Sequence, residues 1–132
     1  TVRPMAVKKS ISIEFQSEDC YVNGISPILE EIVFNILDNA VKYNKDNGSI
    51  KIVLENKDGH VELSVSDTGI GIPYEEQDRV FERFYRVDKS HSKDIGGTGL
   101  GLSIVKHGAA IHNATVTLKS APLKGTTISV LF

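Results

Sequence analysis

Cysteine is nearly missing from this chain of 132 residues: a single one, Cys20, rules out an internal disulfide. A lone thiol fits a reducing compartment, and Cys20 is expected to be a half-buried strand residue. Thiolate metal centres are equally disfavoured. None of His60, His91, His107 and His112 stands at metal-ligand spacing from a second histidine or a cysteine, so surface or capping positions are expected for all four. A charge excess is also lacking. Fifteen basic against seventeen acidic side chains leave a formal charge of −2, so no domain-wide field draws nucleic acid or a membrane surface, and any phosphate site must be local. No apolar run approaches a membrane span and no secretory leader starts at Thr1, so a soluble chain without direct membrane contact is expected. The length suits one domain, residues 1–132, with one core.

What is present alternates. Ile11, Ile13 and Phe15 are interleaved with polar residues, as are Ile50, Ile52 and Leu54, then Val61, Leu63 and Val65, and finally Ile128, Val130 and Phe132. These are half-buried strands. The turn signal from Asn56 to Gly59 predicts that the second and third form a hairpin. Val116 and Leu118 predict a further strand, turned through Pro122 and Gly125 into the last, which makes about five.

Residues 26–43 follow a helical period instead, with Leu29, Ile32, Val33, Ile36, Leu37, Ala40 and Val41 on one arc. Ser26 is the expected N-cap, with Pro27 opening the helix and the Asn47-Gly48 pair ending the segment. Shorter helices are expected at residues 75–85 and 100–112. Strands on one side and helices on the other predict an α+β fold: a two-layer α/β sandwich, a mixed sheet with helices packed on one face.

On the polar arc of the long helix, Asn35 and Asn39 are four residues apart and share a face, with Lys42 one turn further on. Two neutral oxygen donors and a cation on one face suit a magnesium ion bridging a triphosphate, because side-chain amides ligate the ion without adding charge. Alone, such a face reads as ordinary solvated helix surface. Two glycine clusters downstream change that reading. Asp67-Thr68-Gly69-Ile70-Gly71-Ile72-Pro73 joins a carboxylate, on the apolar face of its strand, to a tight turn. A carboxylate in that place needs a partner. Gly96-Gly97-Thr98-Gly99-Leu100-Gly101-Leu102 then puts backbone N–H groups ahead of an apolar helix, where a phosphate is welcome. The second cluster is no dinucleotide fingerprint, since Leu102 stands where the third glycine belongs. It is no P-loop either, since Leu102 and Ser103 replace the lysine and hydroxyl residue.

In this order, with the segment from Arg79 to Arg86 carrying Phe81 and Phe84 between the two clusters, the motifs resemble the ATP-binding catalytic domain of sensor histidine kinases. These belong to the ATPase superfamily that also holds gyrases, heat-shock chaperones and mismatch-repair proteins. The resemblance covers about residues 8–132 and implies a Bergerat-type ATP-binding fold. It implies that Asp67 accepts a hydrogen bond from the adenine amine, and that Gly69, Gly71 and Ile72 bind the nucleotide beside it. Asn39, with Asn35, would ligate Mg2+, and Lys42 and Tyr43 would line the phosphate side. Gly97, Thr98, Gly99, Leu100, Gly101 and Leu102 would receive the phosphates, Asn35 and Arg86 would be the catalytic residues, with Arg86 reaching the γ-phosphate, and residues 87–98 would form a lid. Hydrolytic members carry glutamate at the position of Asn35; an amide cannot accept the proton of an attacking water, which implies a site that holds ATP without wasting it.

The resemblance further implies that Thr1 marks a cut in a longer, homodimeric parent, with this domain in the cytoplasm whether or not the parent is anchored in the cell membrane. Its partners would be a histidine-bearing dimerisation domain and a response regulator receiver domain. None of the four histidines lies in the His-Glu-x-x-Thr/Asn-Pro context of the phosphoacceptor helix, so the acceptor is expected elsewhere. An anti-sigma-type serine kinase and a non-catalytic, ATP-responsive binding module use similar pockets and stay open as alternatives. The chain departs from the family pattern at two points: Asn113-Ala114 replaces the usual Gly-Gly, and Ile25-Ser26 stands where an aspartate is common.

Overall fold

The long helix α1 (Ser26–Lys42) buries Ile32, Ile36, Ala40 and Val41, the stripe its periodicity predicts. Its first turn differs from expectation. Ile25, in extended backbone (φ −92°, ψ 107°), is the N-cap, and no side chain of its own caps the helix. Ser26 already lies inside the helix, so its hydroxyl cannot act as the cap. The Ile25 carbonyl accepts from the N–H groups of Ile28 and Leu29 at 2.9 and 3.0 Å. The structure is a computed structural model in which the described residues are 10–82 and 101–132. Expectations for Arg86, His91, Gly97, Thr98, Gly99, Leu100 and the lid at 87–98 fall outside them.

Five strands, β1 (Ser12–Ser17), β2 (Ser49–Lys57), β3 (His60–Asp67), β4 (Thr115–Ala121) and β5 (Gly125–Leu131), form one mixed sheet in the order β1-β2-β3-β5-β4. Because α1 crosses over between them, β1 and β2 run parallel; every other pair is antiparallel. The β2–β3 hairpin turns through Asp58 (φ 52°) and Gly59 (φ 83°), two left-handed residues whose twist suits paired strands. The second helix, α2 (Gly101–Ile111), buries Leu102, Val105, Gly108 and Ala109. Its exit absorbs one departure from the family pattern. Asn113 takes the left-handed conformation (φ 54°) in place of glycine, and the N–H groups of Asn113 and Ala114 close on the Ala110 and Ala109 carbonyls.

Helix residues Ile32, Ile36, Val105 and Ala109 pack with Ile50, Ile52, Leu63, Val65, Ile128 and Val130 into one core, so both helices cover a single face of the sheet. Across β3 and β5 the opposite face carries hydroxyl pairs, Ser64 with Ser129 at 3.0 Å and Ser66 with Thr127 at 2.8 Å. The two-layer α+β sandwich is therefore as expected. Edge strand β1 is not. Its register puts Ile13 beside Ile50 and Phe15 beside Ile52, on the helix side, yet they are 47% and 61% exposed. Among the described residues, the main helix contacts on the sheet fall on β3 and β4 rather than on β1. Cys20 is half-buried, but in the loop after β1 rather than in a strand.

The helix expected at 75–85 is, over its described part, a 3-10 turn (Tyr74–Glu76) followed by tight turns to residue 82. Bonds from Arg79 N–H to the Glu76 carbonyl and from Glu82 N–H to the Arg79 carbonyl close three residues apart. The Gln77 amide ties this segment to the carbonyls of Ile72 and Ser120 at 3.0 and 2.9 Å, while Val80 and Phe81 join the core.

Candidate functional site

Asp67 ends β3 on the core face, as the alternation predicts, and its carboxylate is held asymmetrically. Oδ1 accepts the Gly69 N–H at 2.8 Å and the Thr126 N–H at 3.2 Å. Among the described residues, no hydrogen bond engages Oδ2. Burial pushes the carboxyl above the ordinary aspartate value of 3.8, while the two backbone N–H groups pull it back down; burial wins. Among the described residues, Oδ1 alone anchors the group.

The turn after Asp67 is wedged between α1 and the β4–β5 hairpin. The Ile70 N–H donates to the Tyr43 carbonyl at 3.1 Å, and a Cβ on Gly69 would strike that same carbonyl. Gly71 adopts a left-handed φ of 71°, and a Cβ there would strike the Ala121 carbonyl. Ile72 is buried in the core, and its N–H donates to Ser120 Oγ at 2.8 Å. In this loop Gly69, Gly71 and Ile72 set where the turn sits, and so aim Asp67. Tyr43 contributes its carbonyl as the C-cap of α1.

On α1, Asn35, Asn39 and Lys42 are all half-buried along one face. The Asn35 side-chain amide donates to the Glu31 carbonyl at 2.7 Å. That bond turns Oδ1 towards the start of α2, where a Cβ on Gly101 would lie 3.4 Å from it. The Glu31 backbone carbonyl thus holds the Asn35 amide. Lys42 pairs with Asp38 at 2.8 Å, so a phosphate arriving at this face would share the ammonium with a carboxylate. Gly101 opens α2 beside Asn35, whereas Leu102 sends its side chain into the core and could meet a ligand only through its backbone. The structure thus brings Asn35 and Gly101 together at one point and Asp67, Gly69, Gly71, Ile72 and Tyr43 together at another. Arg86, Gly97, Thr98, Gly99 and Leu100 lie outside the described residues.

Sequence reasoning missed the supports of this site. Buried Asn44 accepts from Thr68 Oγ1 at 3.0 Å and donates to the Ser49 carbonyl at 3.1 Å, fastening the residue after Asp67 to the end of α1. Ser120 accepts from Ile72 and donates to the Gly125 carbonyl at 2.9 Å, fastening the same loop to β5. An asparagine beyond the last helical turn and a serine on an inward strand position were the available signals.

The profile of the family described as histidine kinase-, DNA gyrase B- and HSP90-like ATPase matches residues 24–132. The chain belongs to this family. Its relatives are sensor histidine kinases. This ATPase-family domain is 42% identical over 126 residues to the sensor-like histidine kinase SenX3 of Mycolicibacterium smegmatis, covering 95% of this chain and 33% of that one. It is 43% identical over 103 residues to the signal transduction histidine-protein kinase ArlS of Staphylococcus aureus, covering 78% of this chain and 23% of that one. The domain therefore spans a third or less of these curated relatives. Among solved structures, the mycobacterial sensor histidine kinase MprB superposes with a TM-score of 0.84 at 34% identity, over 99% of this chain and 87% of that one. Full-length ShkA in complex with AMPPNP matches at a TM-score of 0.79 and 28% identity, over 97% of this chain and 26% of that one.

Proposed function

We propose that this chain binds Mg-ATP and donates the γ-phosphoryl group to a histidine on a separate dimerisation domain of the same parent, for onward transfer to a response regulator receiver domain. The parent is read as a homodimer with this domain in the cytoplasm. The observation that carries the reading is Asp67, with Oδ1 fixed by Gly69 and Thr126 and Oδ2 left for the adenine amine. The ATPase family and the kinase relatives support it, as does the AMPPNP complex of ShkA. The donor set also suits the metal: the Asn35 amide is oriented with its oxygen towards the start of α2, and Asn39 follows one turn later. When bound, Mg2+ would neutralise charge between the phosphates. The residues' own task is positioning. Asp67 selects adenine, Asn35 and Asn39 present oxygens without a proton-accepting carboxylate, and the N-terminus of α2 faces the phosphates.

Incubated alone with radiolabelled ATP, the chain is expected to stay unlabelled, because no acceptor motif accompanies the pocket. Added to a histidine-bearing dimerisation domain, it should yield acid-labile label on that domain. Acid-stable label would mean a serine kinase, and binding without any transfer would mean an ATP-responsive module.

Asn39→Ala removes one metal oxygen, so its loss of affinity is expected mainly with magnesium present and to be larger for ATP than for ADP. Calorimetric titrations with and without the ion check this. An equal loss in both conditions would take Asn39 away from the metal.

A further inference from the structure

The helix α1, whose N-cap residue Ile25 makes no side-chain cap bond, is tied at its start to the other end of the fold. The Ile25 N–H donates to His112 Nε2 at 3.0 Å, across 87 residues of sequence, while His112 Nδ1 donates to the Gly108 carbonyl at 2.8 Å. These two bonds allow one arrangement of the imidazole, with the proton on Nδ1 and the lone pair on Nε2 aimed at Ile25. The ring is packed edge-on against Phe132, with centroids 6.3 Å apart, so it has little freedom to turn. His112 follows the last residue of α2, and Ile25 precedes the first residue of α1.

The two helices are therefore antiparallel rods pinned at one end. From Ile25 to Asn35 along α1 is about 15 Å, and from His112 back to Gly101 along α2 about 16 Å, at the helical rise per residue. The free ends of the two spans meet where Asn35 Oδ1 faces Gly101. Between pin and pocket, Gly108 lets the rods touch: a Cβ there would lie 3.0 Å from Ile32 and 3.1 Å from Ile28. The bond at Ile25 ties the two helices on one side of this contact, and Asn35 and Gly101 lie on the other.

We infer that His112 is a positioning residue: by clamping the end of α2 to the start of α1 it fixes the phosphate end of α2 against Asn35. This rests on the nucleotide reading of the pocket. His112 touches neither nucleotide nor metal; it acts through the helix it terminates.

Two substitutions separate its two bonds. His112→Asn retains a donor for the Gly108 carbonyl and offers the Ile25 N–H no acceptor. His112→Gln reaches far enough to place an amide oxygen where Nε2 was. In nitrogen-15 NMR spectra of the nucleotide-free chain, His112→Asn is expected to shift the Gly101 backbone and Asn35 side-chain resonances, and His112→Gln to return them towards the parent. By calorimetry, at a temperature where every variant is folded, His112→Asn should weaken Mg-ATP binding by about twofold to thirtyfold, the range for coupling through packed elements, with His112→Gln restoring most of it. Unmoved resonances and parental affinity in His112→Asn, with only the melting temperature lowered, would overturn the inference. So would a glutamine variant as impaired as the asparagine one. Should the parent itself fail to bind Mg-ATP, the proposed function falls, and the Gly101 and Asn35 shifts still decide for or against the clamp.

Discussion

Asp67→Asn is expected to lose about 1.5–3 kcal/mol of affinity for ATP and ADP alike, with or without magnesium, or roughly 10- to 150-fold in Kd. The two backbone donors explain why an amide cannot stand in. Its oxygen must face the Gly69 and Thr126 N–H groups, which leaves its NH2 pointing where the adenine amine is proposed to arrive, donor against donor. Rotating the amide moves the same conflict to the backbone. The variant should nevertheless fold at least as well as the parent. Since burial raises the Asp67 carboxyl, the folded chain holds its proton more tightly than the unfolded one, and stability falls as pH rises from the ordinary value of 3.8 through the raised one. Above that window the charged carboxylate is a standing cost that asparagine lacks. Melting temperatures should thus show the variant equal or ahead at neutral pH, with the gap closing below 3.8. An Asp67→Asn chain that binds ATP as the parent does would remove adenine from this carboxylate.

Gly71→Ala is expected to be the most damaging small substitution in the loop. Left-handed backbone at a non-glycine residue costs about 1–3 kcal/mol, and forcing a methyl group into packed surroundings adds about 1–3 kcal/mol. At Gly71 both apply, because φ is 71° and the obstacle is the backbone carbonyl of Ala121, which no rotamer change can move. Gly59 is the control: its φ is 83°, yet nothing lies within 4 Å of its Cβ direction, so Gly59→Ala should show the backbone cost alone. Urea unfolding of the two variants isolates the collision. Equal losses would mean that the loop yields and that Gly71 is there for its dihedral angle only.

Much of this was legible in the sequence where a local rule governed. The stripe Ile32, Ile36, Ala40 and Val41 is a matter of helical period, the Asp58-Gly59 turn of backbone sterics, and the inward aim of Asp67 of strand alternation. Alternation says which face a strand residue takes, but not whether a helix lies over that face, so Ile13 and Phe15 were expected to be half-buried and are exposed. Capping is usually local, which made Ser26 the natural candidate; the partner chosen by Ile25 is an imidazole from another helix. The Thr126 N–H on Asp67 was illegible for the same reason, being brought in by sheet pairing across 59 residues. Pairing of that kind is a property of the assembled sheet and leaves no trace in any short window.

The pairing of β3 with β5 joins two hairpins, β2–β3 and β4–β5, each closed by a short turn of its own. Only at this seam does the Thr126 N–H reach Asp67, and the Ser66–Thr127 hydroxyl pair bridges it one residue away. A partly unzipped chain with both hairpins intact but the seam parted has therefore lost half of the anchor on Asp67. Nucleotide, if held there, recognises only the zipped form, so its binding energy acts against seam opening and leaves fraying of the β1 edge untouched. Amide exchange in β3 and β5 should slow on adding Mg-ATP while exchange in β1 keeps its pace, making the seam the part of the sheet whose lifetime reports whether the pocket is filled.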